Sequence, residues 1–80
     1  MIQNNMLHLF PNPVTNELSI DLSKWEGAFS VLLTNALGQV VWEQPVRGIA
    51  TIDVAAYARG LYTVEVLGLT TRERQTVILR

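Results

Sequence analysis

Apolar and polar residues alternate along most of this 80-residue chain. Leu18, Ile20 and Leu22 alternate with Ser19 and Asp21, and the run GLYTVEVL follows the same pattern. A period of two places every second side chain on the same side of an extended backbone. Each such run therefore predicts a β-strand with one buried face.

Short strand-like runs recur about every ten residues, which is typical of all-β sandwiches and barrels. In order they are MLHLF, LSIDL, VLL, QVVWEQ, IATIDV, GLYTVEVL and TRERQTVILR, and glycine or proline stands between neighbours. Only DVAAYAR competes as a helix, and a helix of one or two turns is marginal, so we interpret it as a crossover loop. The pattern predicts an all-β, immunoglobulin-like antiparallel β-sandwich of about seven strands. Residues 1–80 are expected to form a single domain with its core from about residue 7 to residue 80.

Composition narrows the range of functions. Hydrophobic residues make up 49% of the chain and charged residues 16%, as in a packed globule. Six basic residues nearly balance seven acidic ones, so we expect no nucleic-acid partner. No apolar run approaches the ~20 residues that span a bilayer, so no membrane insertion is predicted. The start, MIQNNMLHLF, lacks a basic segment before an apolar one, and we expect no ordinary secretion signal in it.

Groups that could perform catalysis are few. The chain has one histidine, His8, and no cysteine, and no spacing typical of metal ligands occurs. We interpret His8 as a surface position on the first strand. The acidic residues are spread singly over the polar phase of the strands, which indicates a solvated sheet face. The sequence therefore predicts no enzyme, no catalytic or metal-binding residue and no cofactor.

The aromatic residues allow two interpretations. Trp25, Trp42, Tyr57 and Tyr62 could form a platform that stacks on sugars, or they could pack within and around the core. We favour packing, with Tyr62 in the core and the tryptophans at its ends. A tyrosine that follows a crossover loop can also donate a hydrogen bond back across the corner of a sandwich.

Four ordered segments carry a family resemblance. They are LFPNPVTNELSIDL at 9–22, VLLTNALGQVV at 31–41, IDVAAYARGLYTVEV at 52–66 and TVILR at 76–80. Together they resemble the type A C-terminal sorting domain of the type IX (Por) secretion system of Gram-negative bacteria. The resemblance extends from about residue 7 to residue 80.

Several positions match the motifs of this family. Pro11, Asn12 and Pro13 correspond to its YPNP motif. Gly38 corresponds to the glycine of its D-x-x-G-[RKQ] motif, and Gly60 and Tyr62 correspond to its G-x-Y motif. Arg80 corresponds to the basic residue that commonly ends domains of the family. Four positions depart from the motifs, with Phe10 for tyrosine, Asn35 for aspartate, Tyr57 for leucine and Ala58 for proline. The prolines fix φ and favour an extended bend. The glycines suit places of positive φ or of close backbone approach.

The resemblance implies a transport function. Such a domain lies C-terminal to a cargo domain and directs it across the outer membrane, through the type IX translocon and its shuttle components. A sortase-like cysteine peptidase then removes the domain. The protein is accordingly expected in the periplasm in transit, and afterwards at the cell surface or outside the cell.

The last segment is the candidate strand for recognition by the translocon: Thr76, Val77, Ile78, Leu79 and Arg80. A receptor strand could pair with it, with Val77 and Leu79 filling side-chain pockets. The charges of Arg72, Glu73 and Arg74 are typical of an edge strand protected against unwanted pairing.

Two other functions remain open at this point. One is a β-sandwich carbohydrate-binding or protein-interaction module of a surface enzyme, which predicts glycan binding that is lost in Trp25→Ala or Trp42→Ala. The other is an inert, fibronectin-like spacer, which would tolerate changes in the last strand as long as the domain stayed folded.

Overall fold

The computed structural model describes residues 8–10 and 15–80. That part of the chain contains seven β-strands and no helix. The strands are β1 (His8–Phe10), β2 (Glu17–Asp21), β3 (Phe29–Asn35), β4 (Val40–Val46), β5 (Ile49–Asp53), β6 (Gly60–Leu67) and β7 (Arg72–Leu79). His8 lies in β1, as predicted, while its side chain and the motif residues Pro11, Asn12 and Pro13 lie outside the described residues.

The strands form two antiparallel sheets that pack face to face. One sheet has three strands in the order β1-β2-β5, and the other has four in the order β4-β3-β6-β7. Strand β6 is central, because it pairs with β3 from Ser30↔Leu67 to Asn35↔Tyr62 and with β7 from Gly60↔Leu79 to Leu67↔Arg72. The predicted all-β, immunoglobulin-like sandwich is confirmed.

The core consists of the inward side chains of both sheets. Among the described residues no charged side chain is buried. Of the residues whose burial the structure describes, thirteen hydrophobic ones are buried: Leu18, Ile20, Leu22, Val31, Leu33, Val46, Ile52, Val54, Tyr62, Val64, Val66, Val77 and Leu79. The alternation in β2 and β6 predicted which of their residues face inward, and those predictions are confirmed.

The segment between β5 and β6 is a loop, as expected for a stretch too short to form a stable helix. The Asp53 carboxylate oxygen Oδ1 accepts a hydrogen bond from the Ala55 N–H (3.0 Å), and the Tyr57 N–H donates to the Val54 carbonyl (3.1 Å). The Val54 N–H donates to the carbonyl of Asn16 (2.8 Å). These bonds fix the loop against the start of β2.

The aromatic residues pack against the core. Trp25 meets Phe29 edge to face, with ring centroids 4.8 Å apart, and Trp42 is a half-buried residue of β4. Tyr62 is only 5% exposed. The packing interpretation is therefore confirmed for Tyr62 and supported for the two tryptophans.

In the described part of the chain, no helix is long and apolar enough to cross a membrane.

Candidate functional site

Three of the family-motif residues and the end of the last strand lie at one end of the four-stranded sheet. Tyr62 of β6 is opposite Asn35 on one side and Val77 on the other, and Gly60 is opposite Leu79. We call this region the motif end and define it as the turn 35–39, the crossover loop 54–59, and the adjoining ends of β6 and β7. A shallow groove lies between the turn and the loop. The fold thus brings together motifs that are far apart in sequence.

Asn35 organises the turn between β3 and β4. Its side-chain oxygen Oδ1 accepts hydrogen bonds from the N–H groups of Leu37 and Gln39, both at 3.0 Å. Its Nδ2 donates to Gln39 Oε1 at 3.0 Å. The Asn35 oxygen thus caps the turn as an aspartate oxygen could, and its amide group adds a bond to Gln39 that a carboxylate could not donate. The departure from the family motif is therefore compatible with the turn.

Gly38 and Gly60 are needed for backbone conformation. Their φ angles are +86° and +137°. A Cβ atom placed on either glycine would meet no atom within 4 Å apart from those of the glycine and its two chain neighbours. From the sequence, each glycine could be explained either by a positive φ or by the close approach of another backbone segment. The structure shows that a positive φ is the reason at both positions.

We expect Gly38→Ala to lower the free energy of unfolding by about 1 kcal/mol, because a left-handed conformation brings Cβ near the following carbonyl oxygen. Gly38→Asn should cost less, since asparagine tolerates this conformation better. Urea unfolding of both variants measures the difference. Equal stability of Gly38→Ala and the wild type would contradict the assignment.

Tyr62 forms the predicted bond across the corner. Its hydroxyl donates to the Ala58 carbonyl at 2.6 Å, which ties the core to the crossover loop. The ring stacks on Tyr57, with centroids 6.4 Å apart. The Tyr57 hydroxyl donates to the Val41 carbonyl at 3.3 Å, so the loop is also joined to β4. Tyr57, which replaces the leucine of the family motif, therefore adds a polar contact.

We expect Tyr62→Phe to lower the free energy of unfolding by about 1 kcal/mol, because the carbonyl of Ala58 loses its donor while the ring stays packed. Tyr57→Phe is the matched control, since it removes a longer bond from a less buried ring. Thermal unfolding of the two variants compares them. The assignment fails if Tyr57→Phe costs as much as Tyr62→Phe.

The side chains of the last strand divide between the core and the surface. Val77 and Leu79 are each 1% exposed, so the expectation that they fill pockets of a receptor is wrong. They pack inside the sandwich because they are the inward residues opposite Tyr62 and Gly60. Thr76 and Ile78 face outward, and Ile78 is 42% exposed.

Among the strands of the described residues, β6 is the only neighbour of β7 in the sheet, so the other edge of β7 is unpaired there. The Gly68 N–H donates to the Thr71 carbonyl (2.8 Å), which makes these two residues a hydrogen-bonded pair. Hydrogen-bonded and non-hydrogen-bonded pairs alternate along an antiparallel ladder. Since Gly68 and Thr71 form a hydrogen-bonded pair, the next residue of β7 and every second one after it belong to non-hydrogen-bonded pairs. These residues direct their N–H and C=O groups to the free edge, and they are Arg72, Arg74, Thr76 and Ile78.

The first half of this edge is charged and the second half is not. Arg72 Nε lies 3.1 Å from Glu65 Oε2, and Arg74 Nη2 lies 3.5 Å from the same oxygen. The carboxylate of Glu65 thus forms ion pairs with both guanidinium groups. Because these groups are largely exposed to water, the two ion pairs contribute little to the stability of the fold. The predicted charged edge strand is confirmed for residues 72–74. From Gln75 to Leu79 the strand carries no charge.

Sequence reasoning overlooked Arg59. Nothing in the hydrophobic pattern or the family motifs singles it out, yet its guanidinium donates to carbonyl groups of the crossover loop, of the end of β7 and of the segment before β2. No local pattern marks such a residue, since its partners lie up to 44 positions away. Among the described residues no cluster of three or more His, Cys, Asp or Glu side chains could hold a metal ion.

Comparison with known protein families gives a match over nearly the whole chain. The family model described as "Secretion system C-terminal sorting domain" matches residues 8–80, a range that includes all seven strands and the whole motif end. A search of curated proteins returned no match to the chain.

Proposed function

Because this chain belongs to the family of C-terminal sorting domains of the type IX secretion system, we propose that the secretion machinery recognises its folded sandwich by adding an extended strand to the free edge of β7. A domain of this family is a sorting signal for type IX secretion and not a member of a catalytic family. It acts with the type IX machinery, and its destination is the cell surface or the extracellular space.

The unpaired, uncharged second half of β7 is the observation that supports strand addition. The other strands at sheet edges are less suitable as templates. Strand β4 contains Pro45, which has no N–H group, and β1 includes three of the described residues. Strand β5 has five residues, whereas β7 has eight and no proline. The longest regular edge in the described part of the chain is therefore that of β7.

Strand addition would use the backbone for affinity and the outward side chains for specificity. Thr76 and Ile78 present both their side chains and their edge N–H groups to an incoming strand. Their geometry depends on the fold, because Val77 and Leu79 between and beside them are anchored in the core. Recognition of this kind would select folded domains and reject unfolded ones.

Further features of the proposal rest on family membership. The whole of residues 1–80 acts as one domain, the cargo domain precedes it, and the protein passes through the periplasm. A sortase-like cysteine peptidase removes the domain after translocation. The domain has no catalytic activity of its own, and no cofactor takes part.

The carbohydrate-binding interpretation is not favoured. A platform for sugars requires aromatic rings that lie open and side by side. Trp25 and Trp42 instead pack against the core, one of them through its contact with Phe29. A sorting signal needs no such platform.

Site-specific photocrosslinking tests the proposal. A benzophenone amino acid at Ile78, on the free edge, should crosslink to an outer-membrane component of the translocon in secreting cells. Ile49 is the matched control, because it is also an exposed isoleucine (59%) but lies on β5 of the other sheet. Translocon adducts of equal yield from both positions, or from position 49 alone, would contradict strand addition at β7.

A further inference from the structure

The guanidinium group of Arg59 joins three segments of the chain. Nη1 donates to the carbonyl of Thr15 at 2.5 Å and to that of Arg80 at 3.2 Å. Nη2 donates to the carbonyls of Val54, of Ala55 (3.3 Å) and of Tyr57 (2.8 Å). Nε also donates to the Tyr57 carbonyl, at 3.2 Å. One side chain thus contacts the segment that leads into β2, the crossover loop and the residue after β7.

Arginine suits this position for geometric reasons. Its planar guanidinium carries five N–H donors in a fixed fork and accepts no hydrogen bond, so it can satisfy several carbonyl groups that converge from different directions. Thr15 and Arg80 lie just outside the strands, where carbonyl groups have no regular ladder partner. A lysine ammonium group has three donors at one point and could not span the same carbonyl groups.

We propose that Arg59 is a positioning residue for sorting: it holds the end of β7 and the approach to β2 against the crossover loop, so that the recognised edge has one fixed geometry. This inference rests on the proposed recognition of β7. Arg80 follows directly on the edge residues 76–79, and the carbonyl of Arg80 has a donor in Arg59. Loss of that donor frees the end of the strand on which docking depends.

The role is local, and this separates it from general stabilisation. Arg59 is exposed, so its bonds compete with water, and their loss should lower the free energy of unfolding less than truncation of a core side chain does. The core under β7 is intact without it, since Val77 and Leu79 are held by packing. Loss of the guanidinium should therefore loosen the end of β7 and leave the sandwich folded.

Amide hydrogen exchange and secretion of a passenger fused to the whole chain test the inference together. In Arg59→Gln we expect amide exchange at Leu79, whose N–H is directed to β6, to rise by about tenfold. A factor of ten corresponds to a local opening that has become easier by about 1.4 kcal/mol, close to the loss of one hydrogen bond to a charged group. Secretion should fall several-fold, and Arg59→Lys should restore it only in part. Arg47→Gln is the matched control, because it removes the same charge from the β4–β5 turn, where Arg47 has no side-chain partner among the described residues.

A variant that weakens the core but keeps Arg59 separates positioning from stability. Val64→Ala should lower the melting temperature more than Arg59→Gln does, yet reduce secretion less at a temperature where both are folded. Secretion of Arg59→Gln at the wild-type level, or an equal loss in Arg47→Gln, would overturn the inference and leave strand addition at β7 intact. If a proline on the β7 edge leaves secretion unchanged, the proposed function itself fails, and the inference with it.

Discussion

Thr76→Pro is expected to lower secretion of a fused passenger by about tenfold or more while the domain stays folded. The Thr76 N–H points to the free edge, so a proline there removes no bond of the β6–β7 ladder. It removes a donor from the edge, and its ring blocks the approach of another strand. Loss of binding free energy of about 1.4 kcal/mol already gives a tenfold effect. The chain itself shows that such an edge tolerates proline, since Pro45 lies in β4 at the opposite edge of the same sheet.

Thr76→Val is the matched control for this experiment. It has a similar shape and keeps the backbone N–H, so the edge can still accept a strand. Secretion of both variants is measured with the passenger's fluorescence in the medium and on the cell surface, and circular dichroism of the purified domain confirms folding. Strand addition at β7 is refuted if folded Thr76→Pro is secreted as well as Thr76→Val.

Leu33→Ala should destabilise the domain more than any of the glycine or tyrosine substitutions at the motif end. Leu33 is fully buried on β3, an inner strand that pairs with both β4 and β6. Leucine-to-alanine changes in a core cost about 3–5 kcal/mol, because a cavity remains. A small domain has only about 5–15 kcal/mol of stability in total, and each kcal/mol lowers the melting temperature by about 4–8 °C. The variant should thus melt at least about 12 °C below the wild type.

Leu32→Ala provides the control on the same strand. Leu32 faces the outer side of the sheet and is only half-buried, so its truncation leaves no enclosed cavity. Urea unfolding should give it less than half the effect of Leu33→Ala. If the two variants lost equal stability, the assignment of inner and outer faces on β3 would be wrong.

The strands could be predicted from sequence because the signal that defines them is local. Leu18, Ile20 and Leu22 alternate with polar residues, and only one phase of such a run can face a core. The partner of each strand could not be predicted in the same way. The pairing of β2 with β5, or of β3 with β6, depends on contacts between residues far apart in the chain, which no local pattern encodes.

The end of β7 shows where prediction of the site failed. Val77, Ile78 and Leu79 are three consecutive apolar residues, so alternation does not decide which of them face inward. The register does, because Val77 lies opposite the buried Tyr62. Ile78, which points the other way, is therefore the apolar residue that a partner can reach. Arg59 was missed for a related reason, since its carbonyl partners meet only in the folded chain.

Burial of Val77 and Leu79 also determines which variants are informative. Deletion of residues 76–80 should abolish secretion, but it removes two core residues together with the edge. The loss would then follow from unfolding as readily as from the missing edge. Point substitutions that change only the outward side of β7, such as Thr76→Pro, separate the two causes.

Translocon-dependent export of a fusion protein tests the sorting function most directly. Residues 1–80 are fused behind a Sec-targeted fluorescent protein in a host that has a type IX system, and the same fusion is placed in a strain without the translocon. We predict fluorescence in the medium or on the cell surface only when the translocon is present. Retention of the fusion in the periplasm of both strains, with the domain folded, would contradict the sorting function.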